Sequence, residues 1–65
     1  MKIGSKVKHS EYGTGTITHI LYEDTKRELF AVEFDVSNSE LHDCFGKTKM
    51  YYGWFCKAEE LEVVE

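Results

Sequence analysis

Apolar residues recur at every second position over short stretches of this chain, which is the spacing of β-strands and not of helices. The clearest stretch is LFAVEF at 29–34, where alternation places Phe30, Val32 and Phe34 on one face of a strand. Further strands are predicted at 6–9, 16–22, 50–56 and 61–64. The pattern therefore predicts an all-β protein.

The predicted strand at 16–22, TITHILY, is rich in β-branched residues, but its alternation is imperfect. Counting from an inward-facing Ile17, strict alternation places His19 and Leu21 on the core face and leaves Ile20 outside. One extra residue in the strand would turn Ile20 inward instead. The pattern therefore predicts a β-bulge and leaves the choice between Ile20 and Leu21 open.

The segments between the predicted strands have the composition of turns and loops. SEYGTG at 10–15 supplies Gly13 and Gly15, which can adopt positive φ because they carry no Cβ atom. Polar loops are predicted at 23–27 and 35–40, and either a short strand or an ordered loop at 41–46. The one segment with helical preference, KAEE at 57–60, is long enough only for a single 3₁₀ turn.

Five short strands, a tight turn near the N-terminus and a 3₁₀ turn before the last strand describe a five-stranded SH3-like barrel. Residues 1–65 are interpreted as one domain, because 65 residues lie near the lower limit for a single apolar core. No stretch has the roughly 20 apolar residues of a membrane span, and no apolar segment follows the N-terminal lysines as in a secretory signal. We expect a cytoplasmic protein that does not bind membranes.

The stretch KVKHSEYGTGTI at 6–17 resembles the opening of small SH3-like or Tudor-like domains. Such domains occur at the C-terminus of UvrD-type helicases and in the RNA-polymerase-interacting module of CarD-type regulators, and they begin with a pattern close to V-x-H-x-x-F/Y-G-x-G-x-I. The positions that match are Val7, His9, Tyr12, Gly13, Gly15 and Ile17. The resemblance implies a barrel that docks onto protein or nucleic acid, and it implies no particular ligand.

The second half of the chain departs from those families. Residues 41–61 look like the ending of small open reading frames of phages and other mobile elements, where an HD pair, a Gly-Trp and a closing E-L recur. Gly53, Phe55 and Leu61 are also similar to the ending of eukaryotic SH3 domains, although Cys56 stands where those domains have proline. The resemblance of residues 41–61 to phage and mobile-element proteins implies a binding protein encoded by a phage or mobile element.

The candidate chemistry of catalysis and metal binding is sparse. Cys44 and Cys56 are expected to be free thiols, because small disulfide-dependent domains usually carry four or more cysteines. Together with His42 they lack the paired C-x₂₋₄-C spacing of structural zinc sites, so buried thiols and surface histidines are the favoured interpretation and no metal or cofactor is expected. A Cys44 nucleophile beside His42 would lack a third, orienting group, so we expect no catalytic residues and no enzymatic activity.

The segment 45–57 concentrates aromatic and basic residues in a chain whose net charge is −4. Alternation on a strand forbids Trp54 and Phe55 from facing the same way, so one large ring must be covered by a loop or lie at the surface. Either all these rings belong to the core of a tiny domain, or they form a binding groove flanked by lysines. The candidate binding residues are Tyr12, Lys47, Lys49, Tyr51, Tyr52, Trp54 and Phe55.

These residues favour a non-enzymatic module that binds a protein, with single-stranded nucleic acid as the alternative ligand for the basic aromatic segment. The acidic net charge argues against a general nucleic-acid-coating protein, because nonspecific affinity for nucleic acid comes from cations. A third hypothesis concerns Glu59, Glu60, Glu62 and Glu65, which either form a solvated strand edge or imitate phosphates to inhibit a host nucleic-acid enzyme.

Overall fold

The five strands of the protein form one antiparallel sheet in the computed structural model, which describes residues 1–64; Glu65 of the predicted acidic tail lies outside the described residues. The strands are β1 Lys6–His9, β2 Gly13–Leu21, β3 Leu29–Phe34, β4 Gly53–Cys56 and β5 Leu61–Val63, with a 3₁₀ helix, η1, at Ala58–Glu60. Their order across the sheet is β4-β3-β2-β1-β5. The all-β prediction is confirmed, and within residues 1–64 no strand pairing joins the two edge strands into a closed barrel.

The predicted strand bounds agree closely at β1 and β3 and less well at β4. β4 begins at Gly53 and not at residue 50, because the preceding residues form a turn in which Tyr52 N–H donates to the Lys49 carbonyl at 3.1 Å. The region 41–46, left open between strand and loop, contains a single bridge between His42 and Gly53 and otherwise consists of turns. The predicted 3₁₀ turn is present just before β5.

One apolar face of the sheet makes the core. Its buried members are Val7, Ile17, Phe30, Val32, Phe34, Leu41 and Cys56. Burial of each large side chain stabilises the fold by about 1.5–3 kcal/mol. Trp54 on β4 and Leu61 on β5 pack against this same cluster although they belong to opposite edges of the sheet, so the sheet curls around one core.

The predicted β-bulge in β2 is confirmed. The pairing between β2 and β3 shifts register between Ile17 and His19, after which Ile20 lies opposite Phe30. Both Ile20 and Leu21 are half-buried, but the extra residue turns Ile20 toward the core, where it packs against the buried cluster, of which Leu21 is not a neighbour. The ambiguity left by alternation is thus resolved in favour of Ile20.

β2 begins at Gly13 and not at residue 16, so both glycines of the predicted turn lie in the strand, and the prediction of positive φ holds only for the first. Gly13 has φ 83°, in the region that favours glycine. Gly15 lies within β2, and a Cβ atom there would approach the Glu33 carbonyl oxygen to 2.7 Å and Val32 Cγ1 to 2.8 Å. Gly15 is therefore required by the close packing of β2 on β3 and not by backbone conformation.

Candidate functional site

The long connection between β3 and β4 contains a tight turn at residues 43–48, which we call the Phe45 turn. The carbonyl oxygen of Asp43 accepts hydrogen bonds from the N–H groups of Gly46 and Thr48, both at 3.0 Å. The Asp43 side chain also accepts, through Oδ1, the N–H of Phe45 at 3.2 Å. An aspartate that bonds its own backbone two residues on is a typical turn initiator, and here it fixes the path of the chain on both sides of Phe45.

Consecutive residues of the Phe45 turn have left-handed backbone conformations. The φ angles are 50° at Cys44, 57° at Phe45 and 90° at Gly46. Only glycine adopts this region readily, so each of the two non-glycine residues costs about 1–2 kcal/mol relative to an ordinary conformation. Phe45 is nevertheless 86% exposed, so burial of its ring cannot account for the strain.

Contacts beneath the Phe45 turn fix it to the sheet. Cys44 is fully buried, and its N–H donates to Nδ1 of His42 at 2.9 Å. His42 itself bridges to Gly53 of β4 through a pair of backbone hydrogen bonds of 2.8 and 3.0 Å. A Cβ atom on Gly53 would lie 2.9 Å from Cys44 Sγ, so only glycine lets the turn approach the strand this closely.

A continuous row of aromatic rings leads from the core to the Phe45 turn. The centroid of Tyr12 lies 5.5 Å from that of Trp54, and Trp54 lies 5.3 Å from His42. The His42 ring lies 5.6 Å from Phe55, and Phe55 lies 5.9 Å from Phe45. The rings are tilted at 33–49° to one another at separations typical of favourable ring pairs, so the exposed Phe45 is the outer end of a series of ring contacts.

The two neighbouring aromatic residues of β4 face opposite sides of the sheet. Trp54 is paired with Val32 and packs on the core, whereas Phe55 is paired with Ala31 on the other face, against His42 and Phe45. Both rings are half-buried. The core-facing ring is therefore Trp54, and the second ring is partly covered by the Phe45 turn.

A groove of about 440 Å³ lies where the two ends of the same connection meet. It is lined by Ser37, Asn38, Ser39, Met50, Tyr51 and Tyr52. The ammonium group of Lys49 lies 4.8 Å from the centroid of the Tyr52 ring, in cation–π contact. Tyr51 is 54% exposed and Met50 is 52% exposed, so this groove presents apolar surface to solvent beside a positive charge.

The structure distributes the predicted binding residues over two neighbouring regions. Lys49, Tyr51 and Tyr52 lie at the groove, Lys47 lies in the Phe45 turn, and Tyr12, Trp54 and Phe55 belong to the ring row.

Two exposed residues, Phe45 and Met50, were missed as candidates. The signal for Phe45 is the combination D-x-F-G at 43–46, in which an aspartate and a glycine flank an apolar residue that a turn must expose.

Burial shifts the pKa of both thiols and of one tyrosine in this region. Burial is the main cause that raises the pKa of the Cys44 thiol to about 11 and that of the Cys56 thiol to about 12, so both are protonated and unreactive at neutral pH. Desolvation, followed by the carboxylates of Glu40 and Glu11, raises the pKa of Tyr12. Residues 1–64 hold no group of three or more His, Cys, Asp or Glu side chains arranged to bind a metal ion.

The interpretation of all histidines as surface residues is wrong for His9. Its ring is 5% exposed, because it packs 5.0 Å from Tyr12 and 6.0 Å from Phe34, and its Nδ1 accepts the N–H of Glu11 at 3.1 Å. The histidine of the V-x-H-x-x-Y pattern thus packs at the base of the ring row and closes the turn that follows β1.

Compared with known protein families, with curated proteins and with solved structures, the chain matches none. In the described part of the chain, 1–64, no helix has the length and hydropathy needed to cross a bilayer. The function of the site therefore has to be inferred from its geometry and chemistry.

Proposed function

We propose that this chain is a non-enzymatic protein-binding module, and that the Phe45 turn is its main contact surface. The observation that carries the proposal is an aromatic ring, 86% exposed, in the middle of three consecutive left-handed residues that the buried Cys44 fixes to His42. Strain of this kind persists only where the surrounding contacts enforce it, and it concentrates at functional positions. A large exposed aromatic residue is also the residue type that most often supplies binding energy between proteins.

The rigidity of the Phe45 turn favours binding. The Asp43 carbonyl and side chain, the His42 ring and the buried Cys44 hold the turn in one conformation before any partner arrives. A preformed turn loses little conformational entropy on association, so more of the contact energy appears as affinity. Phe45 would insert into an apolar pocket of the partner, with Lys47 at its rim.

The proposed fold is an SH3-like barrel that is open along one edge. Its support is the strand order β4-β3-β2-β1-β5, the bulge that bends β2, and a core to which both edge strands contribute. Small barrels of this kind commonly serve as docking modules. The further proposal that the partner is a host protein rests on the sequence resemblance of residues 41–61 alone.

Single-stranded nucleic acid is the second candidate ligand, and the cation–π pair of Lys49 and Tyr52 favours it. Bases would stack on Tyr51 and Tyr52 while the lysines contact phosphates. Such binding would weaken as salt is added, in proportion to the number of phosphates neutralised. Protein binding through Phe45 would respond little to salt.

The third candidate, an acidic imitation of phosphates, would use the exposed carboxylates of η1 and β5, which lie on the edge strand opposite β4. This candidate predicts a partner that depends on Glu59, Glu60 and Glu62 and tolerates replacement of Phe45.

The test is affinity capture from a bacterial lysate with three tagged baits: the unchanged chain, Phe45→Ala and Tyr22→Ala. Tyr22 is a matched control, because it is also aromatic, 60% exposed and left-handed at φ 54°, but belongs to the connection between β2 and β3. We expect a partner that the unchanged chain and Tyr22→Ala retain and that Phe45→Ala binds about 30-fold more weakly, equivalent to about 2 kcal/mol. Equal capture by all three baits would contradict the proposal.

A further inference from the structure

The side chain of His42 holds the Phe45 turn through a hydrogen bond that only an uncharged imidazole can make. The Cys44 N–H donates to Nδ1 of His42 at 2.9 Å. A ring nitrogen accepts a hydrogen bond only while it carries no proton, so the proton of the neutral ring lies on Nε2. A charged ring carries hydrogen on both nitrogens, and Nδ1–H would then point at the Cys44 N–H. Protonation of Nδ1 and this hydrogen bond therefore exclude each other.

The contacts of the His42 ring fix its orientation. Its centroid lies 5.3 Å from that of Trp54 and 5.6 Å from that of Phe55, and its backbone pairs with Gly53 of β4 through hydrogen bonds of 2.8 and 3.0 Å. Rotation of the ring would disrupt these contacts with the sheet. The part that can respond to a proton is therefore the Phe45 turn on the other side of the bond.

The Phe45 turn depends on the bond to His42. Cys44 and Phe45 have the unfavourable φ angles of 50° and 57°, and the Phe45 ring is 86% exposed. Cys44 is fully buried, so its N–H has no access to water once the imidazole acceptor is lost. A buried N–H without an acceptor is unfavourable, and opening the turn gives it access to water. Loss of this one acceptor therefore favours an open turn.

β4 presents two uncharged rings to His42, those of Trp54 and Phe55. The Tyr12 phenol packs on Trp54. Its pKa is raised by desolvation and then by nearby carboxylates, of which Glu40 acts most strongly, so the phenol stays uncharged at neutral and acid pH. No change of charge on these rings accompanies the titration of a histidine.

The Phe45 turn contributes one thiol and two opposite charges. Burial raises the pKa of the Cys44 thiol to about 11, so the thiol is uncharged over the range in which histidine titrates. The Asp43 carboxylate and the Lys47 ammonium both act on that thiol, with opposite signs. The carboxylate is also engaged, because its Oδ1 accepts the N–H of Phe45. His42 is therefore the side chain of this site that suits a switch between about pH 5 and 8.

We propose that His42 is a pH-sensitive switch of the Phe45 turn: the neutral ring holds the turn closed, and protonation releases it. A solvated imidazole is half protonated at about pH 6.5, and the closed turn excludes the proton from Nδ1. Acidification from about pH 7.5 to about pH 5 would then raise the ratio of open to closed turn about 30-fold. The stabilisation by the neutral ring is present above about pH 7 and is lost as the pH falls.

The switch is a property of the chain alone and goes beyond the proposed function. Release of a partner on acidification would follow from it only if that partner binds through Phe45. His9 makes a similar bond, since its Nδ1 accepts the N–H of Glu11 at 3.1 Å, but its ring is 5% exposed and packs at the core. Protonation of His9 would affect the whole fold, so the test has to resolve single residues.

The test is a pH titration of the ¹⁵N-labelled chain by NMR. At about pH 7.5, long-range ¹H–¹⁵N spectra should show that His42 carries its proton on Nε2 and none on Nδ1. Backbone order parameters at Cys44 and Phe45 should fall from about 0.85 at about pH 7.5 to below about 0.6 at about pH 5. Those of β2 and β3 should remain near about 0.85.

Three variants isolate the titrating group. His42→Asn offers an uncharged oxygen acceptor in place of Nδ1, and asparagine commonly bonds the backbone two residues on, so the turn should stay rigid at both pH values. His42→Phe has no acceptor and should be mobile at both. His19→Asn removes an exposed histidine of β2 and should respond as the unchanged chain does.

The inference is overturned if Nδ1 of His42 carries the proton at about pH 7.5, or if the order parameters at Cys44 and Phe45 do not fall at about pH 5. It is also overturned if His42→Asn becomes as mobile in acid as the unchanged chain, or if all strands lose their order together with the turn. None of these results affects the capture experiment with Phe45→Ala, which tests the proposed function separately.

Discussion

Replacing Trp54 by alanine tests the assignment of the two faces of β4. The Trp54 ring packs against the core, 5.5 Å from Tyr12 and 5.3 Å from His42. Phe45, in contrast, is 86% exposed and has one ring neighbour, Phe55, at 5.9 Å. The two aromatic residues are therefore expected to differ sharply in their effect on stability.

The magnitude follows from the burial of each ring. Truncating a fully buried aromatic residue to alanine costs about 3–5 kcal/mol, so half-buried Trp54 should contribute about 2 kcal/mol. Phe45→Ala should change the free energy of unfolding by less than about 0.5 kcal/mol. A domain of 65 residues is stable by about 3–10 kcal/mol, so the Trp54→Ala variant should remain folded but melt about 8–16 °C lower.

Urea unfolding followed by far-UV circular dichroism is the suitable assay, because Trp54 is the only tryptophan and its removal abolishes the fluorescence signal. Both variants should show the same m-value as the unchanged chain, so that the midpoints can be compared directly. The reasoning is refuted if Trp54→Ala lies within about 0.5 kcal/mol of the unchanged chain, or if Phe45→Ala is destabilised as much as Trp54→Ala.

Three further predictions concern packing, pH and the Phe45 turn. Gly15→Ala should lower the free energy of unfolding in urea by about 1–3 kcal/mol, because its Cβ would meet the β3 backbone; an unchanged midpoint would contradict this packing. Because the pKa values of Cys44 and Cys56 are raised in the folded state, the folded chain keeps its thiol protons to higher pH than the unfolded chain, and stability should fall as pH rises from about 9 through 11–12. A variant with both Cys44→Ala and Cys56→Ala should therefore show a shallower decline of the urea midpoint with pH than the unchanged chain. The same decline in both proteins would contradict this prediction. His42→Phe keeps a ring but removes the acceptor of the Cys44 N–H. The Cys44 amide should then exchange with deuterium faster, as measured by NMR, and the free energy of unfolding should fall by about 1–3 kcal/mol. Unchanged exchange would show that this hydrogen bond does not hold the turn.

The regular part of the fold could be predicted from the sequence because alternation is a local property of a strand. Phe30, Val32 and Phe34 share the core face as their spacing predicted, and the imperfect alternation after Ile17 correctly indicated a bulge. The choice between Trp54 and Phe55 could be posed from the sequence but not answered, because a shift of one residue in the pairing with β3 would exchange the two faces.

The conformation of the connection between β3 and β4 could not be predicted. It depends on contacts between residues that are distant in sequence, such as the bridge from His42 to Gly53 and the close approach of Cys44 to that glycine. Alternation does not apply to such a segment, so the D-x-F-G combination at 43–46 is the one local signal for an exposed Phe45, and the left-handed path of the turn could not be deduced from it. The SH3-like barrel is a proposal, and its closure was not predicted correctly, because pairing in the described part of the chain joins the strands into a single sheet whose edge strands β4 and β5 do not pair.

The most direct measurement of the central claim is hydrogen–deuterium exchange of the chain, alone and in complex with the captured partner. If the Phe45 turn forms the contact surface, binding should slow exchange at residues 43–48 and leave the connection between β2 and β3 and the strand β5 unchanged. Slower exchange confined to the acidic residues of η1 and β5, with residues 43–48 unaffected, would contradict the account.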